Sequence, residues 1–119
     1  MRDFKQLKVW DKAHHLTLHI YRITKCFPSD ERFGLTSQLR RAAASVSTNI
    51  AEGCGRDSER EFGRFMGIAA GSASEVEYQL LLARDLKYLR SETHIEISQQ
   101  VNEIKKMLNS FIQKLTANS

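Results

Sequence analysis

At 119 residues the chain fits one domain, residues 1–119, with enough length to bury a single core without disulfides or a structural metal. Eighteen basic against fourteen acidic residues give a net charge of +4 and a pI near 9.3, a mild excess that permits nucleic-acid binding without demanding it. No apolar run approaches the roughly 20 residues of a membrane span, the N-terminus lacks a signal pattern, and Cys26 and Cys54 lack CxxC spacing, so the expectation is a cytoplasmic protein with two reduced thiols and no zinc site.

One proline and six glycines leave few breakers, and β-branched residues never alternate as a half-buried strand requires, which predicts an all-α chain. After a lead-in at Met1–Gln6, Val9, Ala13, Leu16, Ile20, Ile23 and Phe27 recur at spacings of four and three and form one stripe of a first helix. Trp10 and Tyr21 flank it. Pro28 disfavours helical backbone in the residue before it, so this helix is expected to stop near Phe27. Pro28-Ser29-Asp30-Glu31 reads as a turn, and Gly34 adds a second break.

A second helix is expected from about Leu35 to Glu52, with Leu35, Leu39, Ala42, Val46 and Ile50 inward and Ala43, Ala44 and Ala51 widening the stripe without bulk. Alanine forms helix well and lets backbones approach, which places this helix at the centre of the packing. Gly53, Cys54 and Gly55 are expected to end it through the left-handed conformation glycine tolerates. Ser58 is a plausible N-cap for a third helix, with Glu59 and Glu61 in its first turn. Its inward set is Phe62, Phe65, Ala69, Ala73, Val76, Leu80 and Ala83, and it is expected to run to Leu89. The low-bulk run Gly67–Ser74, GIAAGSAS, is the natural partner for the alanine face of the second helix. Ser91-Glu92-Thr93 offers the next cap, and Ile97, Val101, Ile104, Leu108, Phe111 and Leu115 hold a heptad pattern to the end. Short connections make consecutive helices antiparallel, giving an up-down-up-down four-helix bundle.

The most unusual stretch is Arg40–Gly53, RRAAASVSTNIAEG. Arg40, Arg41, Arg56, Arg60 and Arg64 place five guanidinium groups near one helix-turn-helix junction, although the first pair starts its helix two or three turns away. Guanidinium groups suit bidentate contacts to phosphate, which RNA offers in rows. Salt bridges to Glu52, Asp57, Glu59 and Glu61 are an equal competitor for that charge. No aromatic residue outside the inward set is interleaved with these arginines as a base-stacking platform. Asn49 and Glu52 share a helical face near a C-terminus, with Ser45 one turn earlier. A carboxylate there is mildly unfavourable without compensation, and an arginine such as Arg40 or Arg41 of a neighbouring copy would supply it. Glu52 as a general base lacks a nearby nucleophile, second acid or metal cluster. His15 and His19, four apart, make a two-ligand set that is too small for a metal site.

Phe4, Leu7, Val9-Trp10, Ala13, Tyr21, Phe27-Pro28, Glu31, Gly34-Leu35, Gln38, Arg40-Arg41-Ala42, Ser45, Asn49-Ile50-Ala51-Glu52-Gly53, Gly55-Arg56, Phe62, Phe65, Gly71-Ser72 and Glu75 resemble the four-helix-bundle proteins encoded in 23S ribosomal RNA intervening sequences. NIAEG following RRA is the most specific part. Cys54 departs from the serine or alanine expected beside it. The resemblance implies a helical bundle that assembles as a homopentamer, similar in turn to the accessory protein of diversity-generating retroelements, a basic barrel that binds nucleic acid and a reverse transcriptase. It also implies that Arg40, Arg41, Asn49, Glu52 and Arg56 serve assembly or ligand binding. The expectation is a non-enzymatic, oligomeric RNA-associated protein without cofactor or metal that contacts phosphates through its arginines. The alternative is a scaffold that docks a partner enzyme such as a reverse transcriptase. Five copies of a +4 chain would carry about +20, so affinity for RNA should fall steeply with salt.

Overall fold

The structure, a computed structural model, describes residues 2–117, so Met1 of the expected lead-in and the last two residues lie outside it. A single 3₁₀ turn at Phe4–Gln6 leads into α1 (Lys8–Thr24), a second turn at Ser29–Glu31 precedes α2 (Leu35–Cys54), and α3 (Glu59–Asp85) and α4 (Ser91–Ala117) follow. No strand occurs among the described residues. Each helix packs on its sequence neighbour and α1 closes the ring against α4, which makes an antiparallel up-down-up-down four-helix bundle. Its long dimension of 45 Å matches a 27-residue helix at about 1.5 Å per residue.

The stripes read from periodicity meet in one core. Val9, Ala13, Leu16 and Ile20 of α1, Leu39, Ala43, Val46 and Ile50 of α2, Phe62, Ala69, Ala73, Val76 and Leu80 of α3, and Ile97, Val101, Ile104 and Leu108 of α4 are all sealed from solvent. Phe111 and Leu115 are half-buried against the same core. No helix among the described residues is long and apolar enough to cross a membrane.

Four boundaries differ from the sequence expectation, each for a local reason. The first helix ends at Thr24, because the Lys25, Cys26 and Phe27 amides switch to carbonyls three residues back and tighten the last turn. Phe27 still reaches the core from that turn. The second helix continues through Gly53 to Cys54, and no glycine among the described residues adopts a positive φ, so the left-handed glycine cap is absent. Gly53 serves close approach instead: a Cβ there would lie 2.8 Å from Phe65 Cβ and 3.0 Å from Met66 Cε.

The third helix starts as expected, Ser58 Oγ accepting from the Glu61 amide at 3.1 Å. It stops at Asp85 rather than Leu89 because Lys87 takes φ 65°. The Tyr88 amide then donates to the Ala83 carbonyl and the Lys87 amide to the Arg84 carbonyl, each at 2.9 Å, the two bonds of a Schellman ending. Ser91 is the first residue of the fourth helix, whose opening turn runs from the Arg90 carbonyl to the His94 amide.

α2 and α3 form the most extensive helix pair. The GIAAGSAS run divides across it. Ala69 and Ala73 are fully buried, whereas Gly67 and Gly71 are exposed and an added Cβ would meet nothing within 4 Å at either. The seam is therefore built from the alanines, and the glycines stand on the outer face of α3.

Candidate nucleic-acid interface

Arg40 and Arg41 are consecutive on α2 and so project about 100° apart, and the fold gives them different tasks. Arg40 lies back on α1: its Nε donates to Thr24 Oγ1 at 2.8 Å, its Nη2 to the Tyr21 carbonyl at 3.3 Å, and its guanidinium carbon sits 4.6 Å from the centroid of the Tyr21 ring. This places a positive charge on the carbonyl end of a helix, where the dipole favours it. Arg41 is exposed and borders a polar groove of about 300 Å³ together with Gln38, Ala42, Ser45 and Glu75.

Asn49 belongs to a tie across the seam. Its Nδ2 donates to the Ser45 carbonyl at 2.8 Å and to Ser45 Oγ at 3.0 Å, and Ser45 Oγ meets Ser72 Oγ of α3 at 2.9 Å. Glu52 is exposed, and its side chain makes no hydrogen bond or ion pair with another described residue. Cys54 beside it is buried as a small apolar residue, and that burial pushes its thiol pKa up.

At the α2–α3 junction the arginines gather on an aromatic ring. The guanidinium carbons of Arg56 and Arg64 lie 4.8 Å and 4.7 Å from the centroid of the Phe65 ring. Arg64 also pairs with Glu61 at 3.1 Å, a bond that lowers the Glu61 pKa. Arg60 is exposed without a carboxylate partner among the described residues. Some 15 residues of helix separate Arg41 from Arg56, roughly 20 Å along the axis, so the five arginines form two groups rather than one patch.

Of the four acids expected to compete for this charge, Glu61 alone pairs with one of the five arginines among the described residues, and Glu59 goes to a cation outside them. Glu59 is taken by Arg2, whose Nη1 and Nη2 reach Glu59 Oε1 and Oε2 at 2.9 Å and 3.0 Å. Arg2 also lies 3.7 Å above the Phe62 ring, and its amide donates to the Cys54 carbonyl at 2.8 Å. The hydrogen bond from Arg2 is the main reason the Glu59 pKa is lowered. Arg2 falls in a lead-in with no periodic signal, and only the folded chain brings it to α3.

His15 and His19 do not converge. His15 Nδ1 lies 2.8 Å from the Asp11 carbonyl and His19 Nδ1 2.7 Å from Gln100 Oε1. No group of three or more His, Cys, Asp or Glu able to hold a metal ion occurs among the described residues.

The sequence and the fold each have known counterparts. The family model described as "23S rRNA-intervening sequence protein" matches residues 5–110. The fold is similar to the crystal structure of a protein with unknown function from the S23 ribosomal protein family of Bacteroides thetaiotaomicron VPI-5482, with a TM-score of 0.81 and 30% identity over 87% of this chain and 97% of that one. No curated protein matches the sequence significantly.

Proposed function

The chain belongs to the 23S rRNA-intervening sequence protein family, and from that premise we propose a non-enzymatic, oligomeric cytoplasmic protein that associates with RNA through phosphate contacts. The observation that carries this is the Phe65-supported pair at the α2–α3 junction. A guanidinium laid on a ring keeps its N–H edges free, and less entropy is lost when it grips a phosphate. Arg56 is held in this way without a carboxylate partner among the described residues, with Arg60 exposed beside it. Arg41 is the exposed cation of the second group. Arg40 and Asn49 are structural under this proposal, the one capping α1 and the other tying α2 to α3. Exposed Glu52 is free to meet an arginine of a second copy, and Arg41 is the accessible one.

The test is fluorescence anisotropy with a structured fragment of 23S ribosomal RNA across a salt series. Binding is expected at low salt with log K falling linearly in log salt, and Arg56→Gln/Arg60→Gln should flatten the slope by roughly 0.7–0.9 per lost contact. No binding at low salt sinks the proposal, and a monomer by sedimentation removes the multiplied charge on which it leans.

A second reading, a scaffold for a partner enzyme such as a reverse transcriptase, is favoured by the outer face of α3. Ile68, Tyr78 and Leu81 are exposed there, and a groove of about 430 Å³ runs past Tyr78 and Leu81 to His94 and Ser98 of α4. One protein partner recovered after nuclease and high salt, and lost in Leu81→Glu, would favour that reading over RNA.

A further inference from the structure

The end of the bundle opposite the α2–α3 junction carries what the arginine-rich half of the chain lacks, an aromatic ring in open solvent among uncommitted cations. Phe33 is 88% exposed, more than any other large apolar side chain among the described residues. It directly precedes Gly34, the residue before α2, and the Arg32 guanidinium carbon stands 5.4 Å from its ring centroid. A solitary ring held outward from a tight connection contributes nothing to the core, while a cation at its edge makes it a receptive surface for another π system.

The loop that bears it is braced. Glu31 Oε1 accepts from the Leu35 amide at 3.1 Å and Glu31 Oε2 from the Tyr88 hydroxyl at 3.0 Å. The Phe27 and Tyr88 rings meet with centroids 5.6 Å apart. These contacts join the α1–α2 connection to the α3–α4 connection and bring Lys87 and Arg90 to the same end as Lys25 and Arg32. All four are exposed, and none has a carboxylate partner among the described residues. The nearby acids are largely spent: Glu31 is the brace and Asp85 is held by Arg84 at 3.0 Å. Asp30 and Glu92 remain and reduce the excess without cancelling it.

We propose that this end binds unpaired nucleotides, with Phe33 as the stacking platform for one base and Arg32, Lys87 and Arg90 on the flanking phosphates. Stacking on an exposed ring tolerates any base, and a surrounding cation set tracks the backbone, the combination by which single strands are held without sequence readout. The proposal rests on the RNA association above and adds to it a second surface with a different ligand: unpaired segments here, phosphate rows at the junction.

The experiment uses the full chain, a fluorescein-labelled 12-nucleotide oligoadenylate and a blunt RNA duplex of equal length. Phe33→Ala is expected to weaken oligoadenylate about 5- to 150-fold while leaving the duplex unchanged, and Lys87→Gln/Arg90→Gln to weaken it with a smaller salt slope. Phe33→Trp should restore binding and have its emission quenched by the oligonucleotide, while the parent's Trp10 emission stays constant. Oligoadenylate binding that survives Phe33→Ala overturns the platform but not the RNA association, which fails only if the parent binds neither probe. A change in sedimentation of Phe33→Ala without RNA would assign the ring to protein contact and also overturn the proposal.

Discussion

A Cβ on Gly53 would meet the Cβ of Phe65 at 2.8 Å, an atom fixed to the α3 backbone rather than the end of a flexible side chain. Gly53→Ala must therefore push two helices apart. Overpacking of this kind costs about 1–3 kcal/mol, against a gain of about 1 kcal/mol from helix propensity, so a net loss of about 1 kcal/mol is expected by denaturant titration. Gly71→Ala provides the contrast, because its Cβ would meet nothing within 4 Å and the same propensity gain of about 0.5–1 kcal/mol goes unopposed. If both variants moved stability in one direction, close approach would not be what requires Gly53. NIAEG was legible as the last turns of a helix, but its glycine reads as a left-handed ending, and the helix instead runs through Gly53 to Cys54. The purpose of the glycine was not legible, because the clash that excludes a side chain lies on another helix.

At the scale of elements, the helical stripes were legible and the helix ends less so. Period 3.6 is a property of the local sequence, and the residues it selected are sealed in the core or, like Ile23, Phe111 and Leu115, half-buried against it. An ending depends on what the next residues can satisfy, and α3 stops at Asp85, two residues before Lys87 with φ 65°, although no glycine marks the spot. The left-handed conformation costs an L-residue roughly 1–2 kcal/mol, so Lys87→Gly is expected to stabilise the chain by about 0.5–1 kcal/mol after glycine's own entropy cost, a rise in melting temperature of about 4 °C per kcal/mol. The paired arginines separate at this scale too. Arg40→Ala leaves buried Thr24 and the Tyr21 carbonyl without their charged donor, a loss of about 1.5–3 kcal/mol. Arg41→Ala is expected to stay within about 0.5 kcal/mol, and RNA affinity is the property it should change. Equal stabilities for the two variants would count against Arg40 as the cap of α1.

For the whole molecule, the tie between the N-terminal lead-in and the α2–α3 junction is the feature that sequence patterning could least have found. Arg2 joins segments 57 residues apart, with its amide on the Cys54 carbonyl, its guanidinium on both Glu59 oxygens and its face on Phe62. None of these contacts leaves a periodic trace near residue 2. The Glu59 pKa lies below its ordinary value of 4.5, chiefly through the hydrogen bond from Arg2. Because the folded pKa is depressed, the folded state binds fewer protons than the unfolded state over this window. The contribution is therefore complete above pH 4.5 and is lost as the pH falls through the depressed value. Glu59→Gln should accordingly flatten the decline in stability below pH 4.5 while leaving the pH 6–8 plateau level, and Arg2→Ala should flatten it likewise. Amide exchange distinguishes the tie from generic acid destabilisation: in the parent at acid pH, the Arg2 amide should lose protection before the core of α3 does. Simultaneous loss at both places would mean that the lead-in opens only with the whole bundle.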